Sequence, residues 1–197
     1  AIKREIMSDR YQVISFDVFD TLVGRPLEKP ENLFQLLNPV FDEVMECRHI
    51  VGFSELRIAG EALARRKAAE AGDAAPEDIS LEDIYREIAD TYHLSDSCAQ
   101  RMCEAEKDME RWLCMARPAG RELYELALSM GKTVILISDM YLDEDTVRSI
   151  LRINNYTGFQ RLYLSSSFGL LKYTGNLFET GQKTVRLHPN TVRLLME

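Results

Sequence analysis

Val13-Ile14-Ser15-Phe16-Asp17-Val18-Phe19-Asp20-Thr21-Leu22 is the stretch that decides the fold of this chain. Residues 13–17 form a short apolar, β-branched run ending in an acid, and such a run predicts a buried strand. In open α/β sheets, ligands bind at the C-terminal ends of the strands. A carboxylate there can attack a phosphoryl group or a carbon centre and form a covalent intermediate. Thr21 is placed to fix the following turn through a backbone hydrogen bond. Alone, this pattern carries little weight, because strand ends commonly hold Asp as a helix cap.

Further along, Thr133–Ile137 (TVILI) repeats the apolar pattern and ends at Ser138, which Asp139, Met140 and Tyr141 follow. A hydroxyl and nearby backbone N–H groups at a strand end suit a phosphate oxygen. A third, weaker strand is predicted at Arg161–Ser165, and after it Lys172 lies in a loop rich in Ser and Gly, SSSFGLLKYTGNLF. A lysine there is a point charge able to neutralise a carboxylate nucleophile and a phosphate. Order is what makes these residues informative: Asp at strand one, Ser at strand two, Lys after strand three.

More than a hundred residues separate the first two strands, and they read as helices. Glu31–Leu37 is one, and Asn38 and Pro39 open the next. Ser54 is expected to cap an Ala- and Arg-rich helix running toward Gly72. Ser80 and Asp83 form a capping box before the buried stripe Leu81, Ile84, Tyr85, Ile88 and Tyr92. A long helix from about Ser95 to Ala116 is expected to carry Cys98, Met102, Met109, Trp112 and Leu113 on its apolar side. Pro118 opens a helix back to the sheet and Gly131 closes it. One helix of about a dozen residues would have sufficed for a crossover. The chain is therefore expected to be α/β, with a core of 1–24 and 117–197 and a helical insert of 25–116. An insert leaving the first strand's acidic end is placed as a lid over a ligand site, or as an extra packing domain.

Taken together, SFDVFDTL, ILISDMYL and the Lys172 loop resemble the first three motifs of the haloacid-dehalogenase-like superfamily, over most of the chain. The pairing of FDVFDTL with SDMYL is similar to a bacterial branch found beside glycosyltransferase domains, and FSELRIAGEALAR and ISLEDIYREI look like its cap helices. The resemblance implies a Rossmann-like core with a parallel sheet and a helical cap after the first strand. It makes Asp17 the nucleophile that becomes an aspartyl-phosphate, on a small phosphorylated metabolite. Ser138 would bind the transferring phosphate and Lys172 would balance its charge. Mg²⁺ would bridge Asp17, the backbone carbonyl of Phe19 and a fourth-motif acid.

Two positions depart from that pattern. Phosphatases of the superfamily carry a general acid/base two places after the nucleophile, where this chain has Phe19; losing such a group costs roughly 10²–10⁴-fold. Dehalogenase-like members also have an aromatic there. Asp20, one place on, would point the other way on an extended segment. The fourth motif, an apolar strand ending in Gly-Asp, falls at Val192–Glu197, with Met196 at the glycine place and Glu197 at the aspartate place. This strand is expected to be degenerate or truncated, and Glu197 to be a poorly fixed ligand because chain ends fray. One edge of the first strand must then be covered by the C-terminal segment or by a second copy in a homodimer. Three functions follow as alternatives: a phosphatase or phosphotransferase, a catalytically degenerate domain kept for binding, and carbon–halogen hydrolysis.

Composition narrows the partners. With a net charge of −8 over 197 residues, no surplus of Lys and Arg exists to release counterions from nucleic acid. Cys47, Cys98, Cys103 and Cys114 include no CxxC pair, which disfavours zinc and a disulfide framework and favours packing roles. No apolar run reaches the ~20 residues of a membrane span and no signal peptide is evident, so a cytoplasmic setting is expected.

Overall fold

A computed structural model of the chain describes residues 2–45, 52–72, 76–185 and 192–195. Helix α1 (Ile2–Ile6) precedes strand β1 (Val13–Phe16), and β4 (Thr133–Ser138), β5 (Arg161–Leu164) and β6 (Val192–Leu195) join it in one sheet. The order is β5-β4-β1-β6, with every pairing parallel. Parallel strands are covered on both faces, which is why they read as continuous apolar runs. Ile14, Phe16, Val134, Leu136, Leu162 and Leu164 belong to the main core, while Val13, Ile135, Ile137 and Tyr163 pack in a smaller cluster with Leu177. That is the two-residue alternation of a strand. Helices α7 (Pro118–Ser129) and α8 (Glu144–Ile153) contribute to the main cluster; the short α9 (Ser165–Phe168) follows β5, and α10 (Asn176–Val185) contributes to the smaller cluster.

The segment expected to be degenerate does form a strand over Val192–Leu195. It lies beside β1, with Phe16 level with Leu195. The C-terminal segment thus covers that edge of β1. Met196 and Glu197 lie outside the described residues, as does Cys47.

Between β1 and α7 the chain leaves through β2 (Val23–Gly24) and returns through β3 (Met115–Ala116), which pair antiparallel. Among the described residues five helices lie between: α2 (Asn32–Leu36), α3 (Asn38–Met45), α4 (Phe53–Glu70), α5 (Leu81–Tyr92) and α6 (Asp96–Leu113). In α4 the buried positions Phe53, Leu56, Arg57, Gly60 and Ala64 follow helical spacing. The Ser80–Asp83 capping box is present. Ser54 is not the cap of α4; Gly52 is, in extended conformation, and its carbonyl accepts from Leu56 N–H. Likewise Asn38 lies inside α3, since Phe41 N–H bonds the Leu37 carbonyl.

Helix α6 corrects the sequence reading most. It ends at Leu113, so that Met115 and Ala116 are free to pair with β2. Trp112 is 77 % exposed. The inner face carries Glu106, Lys107 and Glu110 among Ala99, Met102, Cys103 and Leu113. Buried charges interrupt the apolar stripe, and Trp112, expected on it, lies outside it.

One close approach ties α7 to the Asp17 turn. A Cβ on Gly120 would stand 2.1 Å from the Thr21 carbonyl oxygen and 3.1 Å from the Leu22 Cα. These are backbone atoms and cannot swing away. Gly120→Ala is therefore expected to lower stability by about 1–3 kcal/mol, read from urea unfolding; a loss within measurement error would show that the helix slides freely.

Candidate active site

Asp17 follows β1 directly and Ser138 ends the neighbouring strand β4. Phe16 is level with Leu136, so Asp17, one residue on, and Ser138, two residues on, both lie at the C-terminal edge of the sheet. Lys172 comes from the segment after β5, and its Nζ stands 3.0 Å from Asp17 Oδ1. Asp17 and Lys172 are therefore paired at the sheet edge where β4 ends in Ser138.

Asp17 Oδ1 also accepts from Val18 N–H at 2.8 Å. Both contacts fall on Oδ1; no hydrogen bond or ion pair among the described residues uses Oδ2. Ser138 is buried, and its Oγ has no hydrogen-bond partner among the described residues. An unsatisfied buried hydroxyl costs free energy and calls for an explanation such as a ligand.

Thr21 does not serve as expected. No hydrogen bond among the described residues uses its hydroxyl, because the main chain already closes the turn. Leu22 and Val23 N–H both donate to the Val18 carbonyl, and Asp20 N–H donates to the Val23 carbonyl. Asp20 is not on an extended segment either: it takes a left-handed conformation, φ 59°, and is exposed. Its carboxylate lies toward the β2–β3 pair, beside Gly24. Phe19 is buried, with the Arg25 guanidinium 5.2 Å above its ring. Burial works against the Arg25 charge, but the Glu110 carboxylate outweighs it, bonding Arg25 at 2.8 and 2.6 Å.

Asp139, beside Ser138, accepts from Lys172 N–H at 2.9 and 3.2 Å. Burial raises its pKa; the Lys172 N–H and charge oppose this, while the Asp78 and Asp17 carboxylates add to it. Asp78 is itself buried, and with Glu77 it reaches this region from the segment between α4 and α5. Sequence reading missed both acids, since a polar stretch between helices looks like a solvated loop. Tyr141, three residues past Ser138, lines a cavity of about 430 Å³ with Phe34, Ile58, Glu61 and Arg65 of the insert.

The resemblance implies Mg²⁺ at this strand end. Glu197 lies outside the described residues, and no group of three His, Cys, Asp or Glu among the described residues could hold a metal. Mg²⁺ commonly takes one or two carboxylates and keeps water or phosphate oxygens elsewhere. The unused Asp17 Oδ2 and the Phe19 carbonyl are donors of that kind. Cys103 and Cys114 are buried, and burial pushes the Cys103 thiol up to about 12. Such thiols are inert packing groups rather than ligands or nucleophiles.

Comparison with solved structures gives the fold. An L-2-haloacid dehalogenase from Xanthobacter autotrophicus matches with a TM-score of 0.55 at 11% identity, over 93% of this chain and 69% of its own. A predicted phosphoglycolate phosphatase from Haemophilus somnus 129PT matches at 0.56 and 12% identity, over 94% and 76%. A further L-2-haloacid dehalogenase matches at 0.59 and 17% identity, over 93% and 75%. No family model and no curated protein matches the sequence. No helix among the described residues is long and apolar enough to cross a membrane.

Proposed function

We propose that this chain, which has the haloacid-dehalogenase-like fold, is a hydrolase or phosphotransferase that acts on a small phosphorylated metabolite through Asp17. The observation that carries this reading is the Asp17–Lys172 pair at the end of β1, with the Ser138 Oγ, buried and without a hydrogen-bond partner among the described residues, at the end of the neighbouring strand. A phosphoryl oxygen seated there would accept from the hydroxyl and lie against the ammonium, satisfying both.

In the first step an Asp17 carboxylate oxygen attacks phosphorus and the bond to the leaving oxygen breaks, giving an acyl phosphate on Asp17. Lys172 balances the charge on the transferring oxygens. In the second step water, or an acceptor hydroxyl, attacks phosphorus, losing its proton to solvent and freeing the Asp17 carboxylate. Mg²⁺, held by Asp17 and the Phe19 carbonyl, would supply further charge neutralisation.

Phe19 offers no proton to the leaving oxygen. Substrates whose leaving group needs none are therefore expected to be turned over faster than alkyl phosphates, by about 10²–10⁴-fold. Assays of acetyl phosphate and p-nitrophenyl phosphate against an alkyl monoester, with Mg²⁺ or EDTA, test this. Turnover that EDTA leaves intact would remove the metal from the reading. A beryllium fluoride adduct on Asp17 is expected as well. Its absence, together with no turnover of any of these substrates, would favour a domain kept for binding, which the buried Phe19 at the acid's place already suits.

A further inference from the structure

Lys172 is held from two directions. Consecutive N–H groups of Leu171 and Lys172 donate to two different carboxylates, Glu77 of the insert and Asp139 of the core. Glu77 Oε2 accepts from Leu171 N–H at 2.8 Å and from Thr174 Oγ1 at 2.7 Å, and its Oε1 accepts from Asn176 Nδ2. One side chain from the insert thus gathers donors on both sides of Lys172.

The neighbouring residues hold Glu77 in place. Glu77 N–H donates to the Gly169 carbonyl at 2.8 Å. Gly169 takes a left-handed φ of 63°, and a Cβ on it would stand 3.0 Å from Pro76. Asp78, buried, accepts from the Ser165 hydroxyl, from Arg65 and from Ile79 N–H. Ser165 in turn accepts from Met140 N–H at 2.8 Å. These bonds connect the α4–α5 segment to the chain after β4 and to the chain after β5 together.

We propose that Glu77, anchored by Asp78, is a positioning residue for Lys172: it holds the Leu171–Asn176 turn so that the Lys172 ammonium stays against Asp17. The inference rests on the role given to Lys172 above. Placement of the insert and charge balance at the nucleophile then become one event, since a shift of the α4–α5 segment would carry the turn with it. Leu171 N–H, with Thr174 and Asn176, holds the Glu77 carboxyl below the usual glutamate range. A carboxylate depressed in this way keeps its contribution at neutral pH and loses it only as the pH falls through the lowered value.

The test reads Lys172 directly and does not need an active enzyme. Acylation of Lys172 by an amine-reactive ester is followed by mass spectrometry in the wild type, Asp17→Asn, Glu77→Ala and Glu77→Gln, with melting curves to report folding. An ammonium paired with a carboxylate acylates slowly, so labelling is expected to rise several-fold in Asp17→Asn and in Glu77→Ala. Glu77→Gln is expected to stay near wild type: its amide oxygen can accept from Leu171 and Thr174, and Asn176 can turn its own oxygen to the new NH₂. Turnover is expected to fall about 10–100-fold in Glu77→Ala and to recover in Glu77→Gln. If labelling rises in Asp17→Asn but not in folded Glu77→Ala, the positioning role is overturned. If it rises in neither, the Asp17–Lys172 pairing is absent and both readings fall. Should Glu77→Ala fail to fold, Thr174→Val removes one surface donor and carries the same test with a smaller expected rise.

Discussion

Asp17→Asn is expected to lower kcat for acetyl phosphate by about 10⁴–10⁶-fold, the range seen when a nucleophile is removed from an otherwise intact site. The size follows from what the substitution leaves. An amide oxygen cannot form the acyl phosphate, so every step after attack disappears. Ser138 at its strand end and Lys172 in its loop remain and can still seat a phosphoryl group. The fold should survive: Val18 N–H can donate to the amide oxygen as it does to Oδ1. The lost Lys172 pair keeps side chains 15 % and 20 % accessible, so water reaches the ammonium and it is not stranded as a fully buried charge would be. Steady-state rates with intact-mass analysis check both halves. A variant with more than a tenth of the wild-type rate, or one that still gains the mass of a phosphoryl group on turnover, would move the nucleophile elsewhere.

Much of this site was legible because its parts obey strong local rules. The runs at 13–17 and 133–137 are β-branched and apolar, and the weaker run at 161–165 alternates Leu and Tyr between the two packed faces, so the observed strands differ from them by no more than a residue at an end. Strand ends then placed Asp17 and Ser138, and loop position placed Lys172. The turn after Asp17 was less legible. Its main-chain bonds run within residues 18–23, and the left-handed Asp20 takes a conformation that a non-glycine residue seldom adopts, so the extended reading of this segment failed. Glu77 and Asp78 could not be read at all, since their partners sit on the far side of the second and third strands.

Helix α6 shows the same limit for the core. An inward Glu or Lys contradicts the apolar stripe by which inner faces are recognised. Nothing local says that Arg25 and Arg57 come from other elements to meet Glu110 and Glu106. The burial of Arg57 is likewise invisible in an Ala- and Arg-rich helix, where arginines ordinarily face water.

That hidden network yields the largest stability effect. Glu106→Ala is expected to cost about 3–5 kcal/mol, because it strands a buried charge rather than removing a pair. Neither Arg57 nor Glu106 has any accessible side-chain surface. Glu106 accepts from Arg57 Nε at 2.7 Å, from Arg57 Nη2 at 2.9 Å and from the Tyr85 hydroxyl at 2.7 Å. Burial opposes the Arg57 charge, and the attraction of Glu106 outweighs it. Without Glu106 the guanidinium keeps, among the described residues, Glu61 at 3.0 Å and 27 % accessible and the rings of Phe34, Tyr141 and Tyr85 at 4.8, 5.0 and 5.9 Å. Those contacts are too few for a desolvated cation. Glu106→Gln retains an acceptor and should fall between, at about 1.5–3 kcal/mol. The double change Arg57→Met with Glu106→Met removes both charges, and replacing a buried pair by apolar groups of similar volume is often neutral. Urea unfolding of the three variants decides the matter. If Glu106→Ala costs less than about 1 kcal/mol, the range of an exposed pair, water reaches Arg57 and the helices of the insert are not closed around it. If the double variant is as unstable as the single one, the stability lost in Glu106→Ala comes from packing volume and not from the unpaired charge.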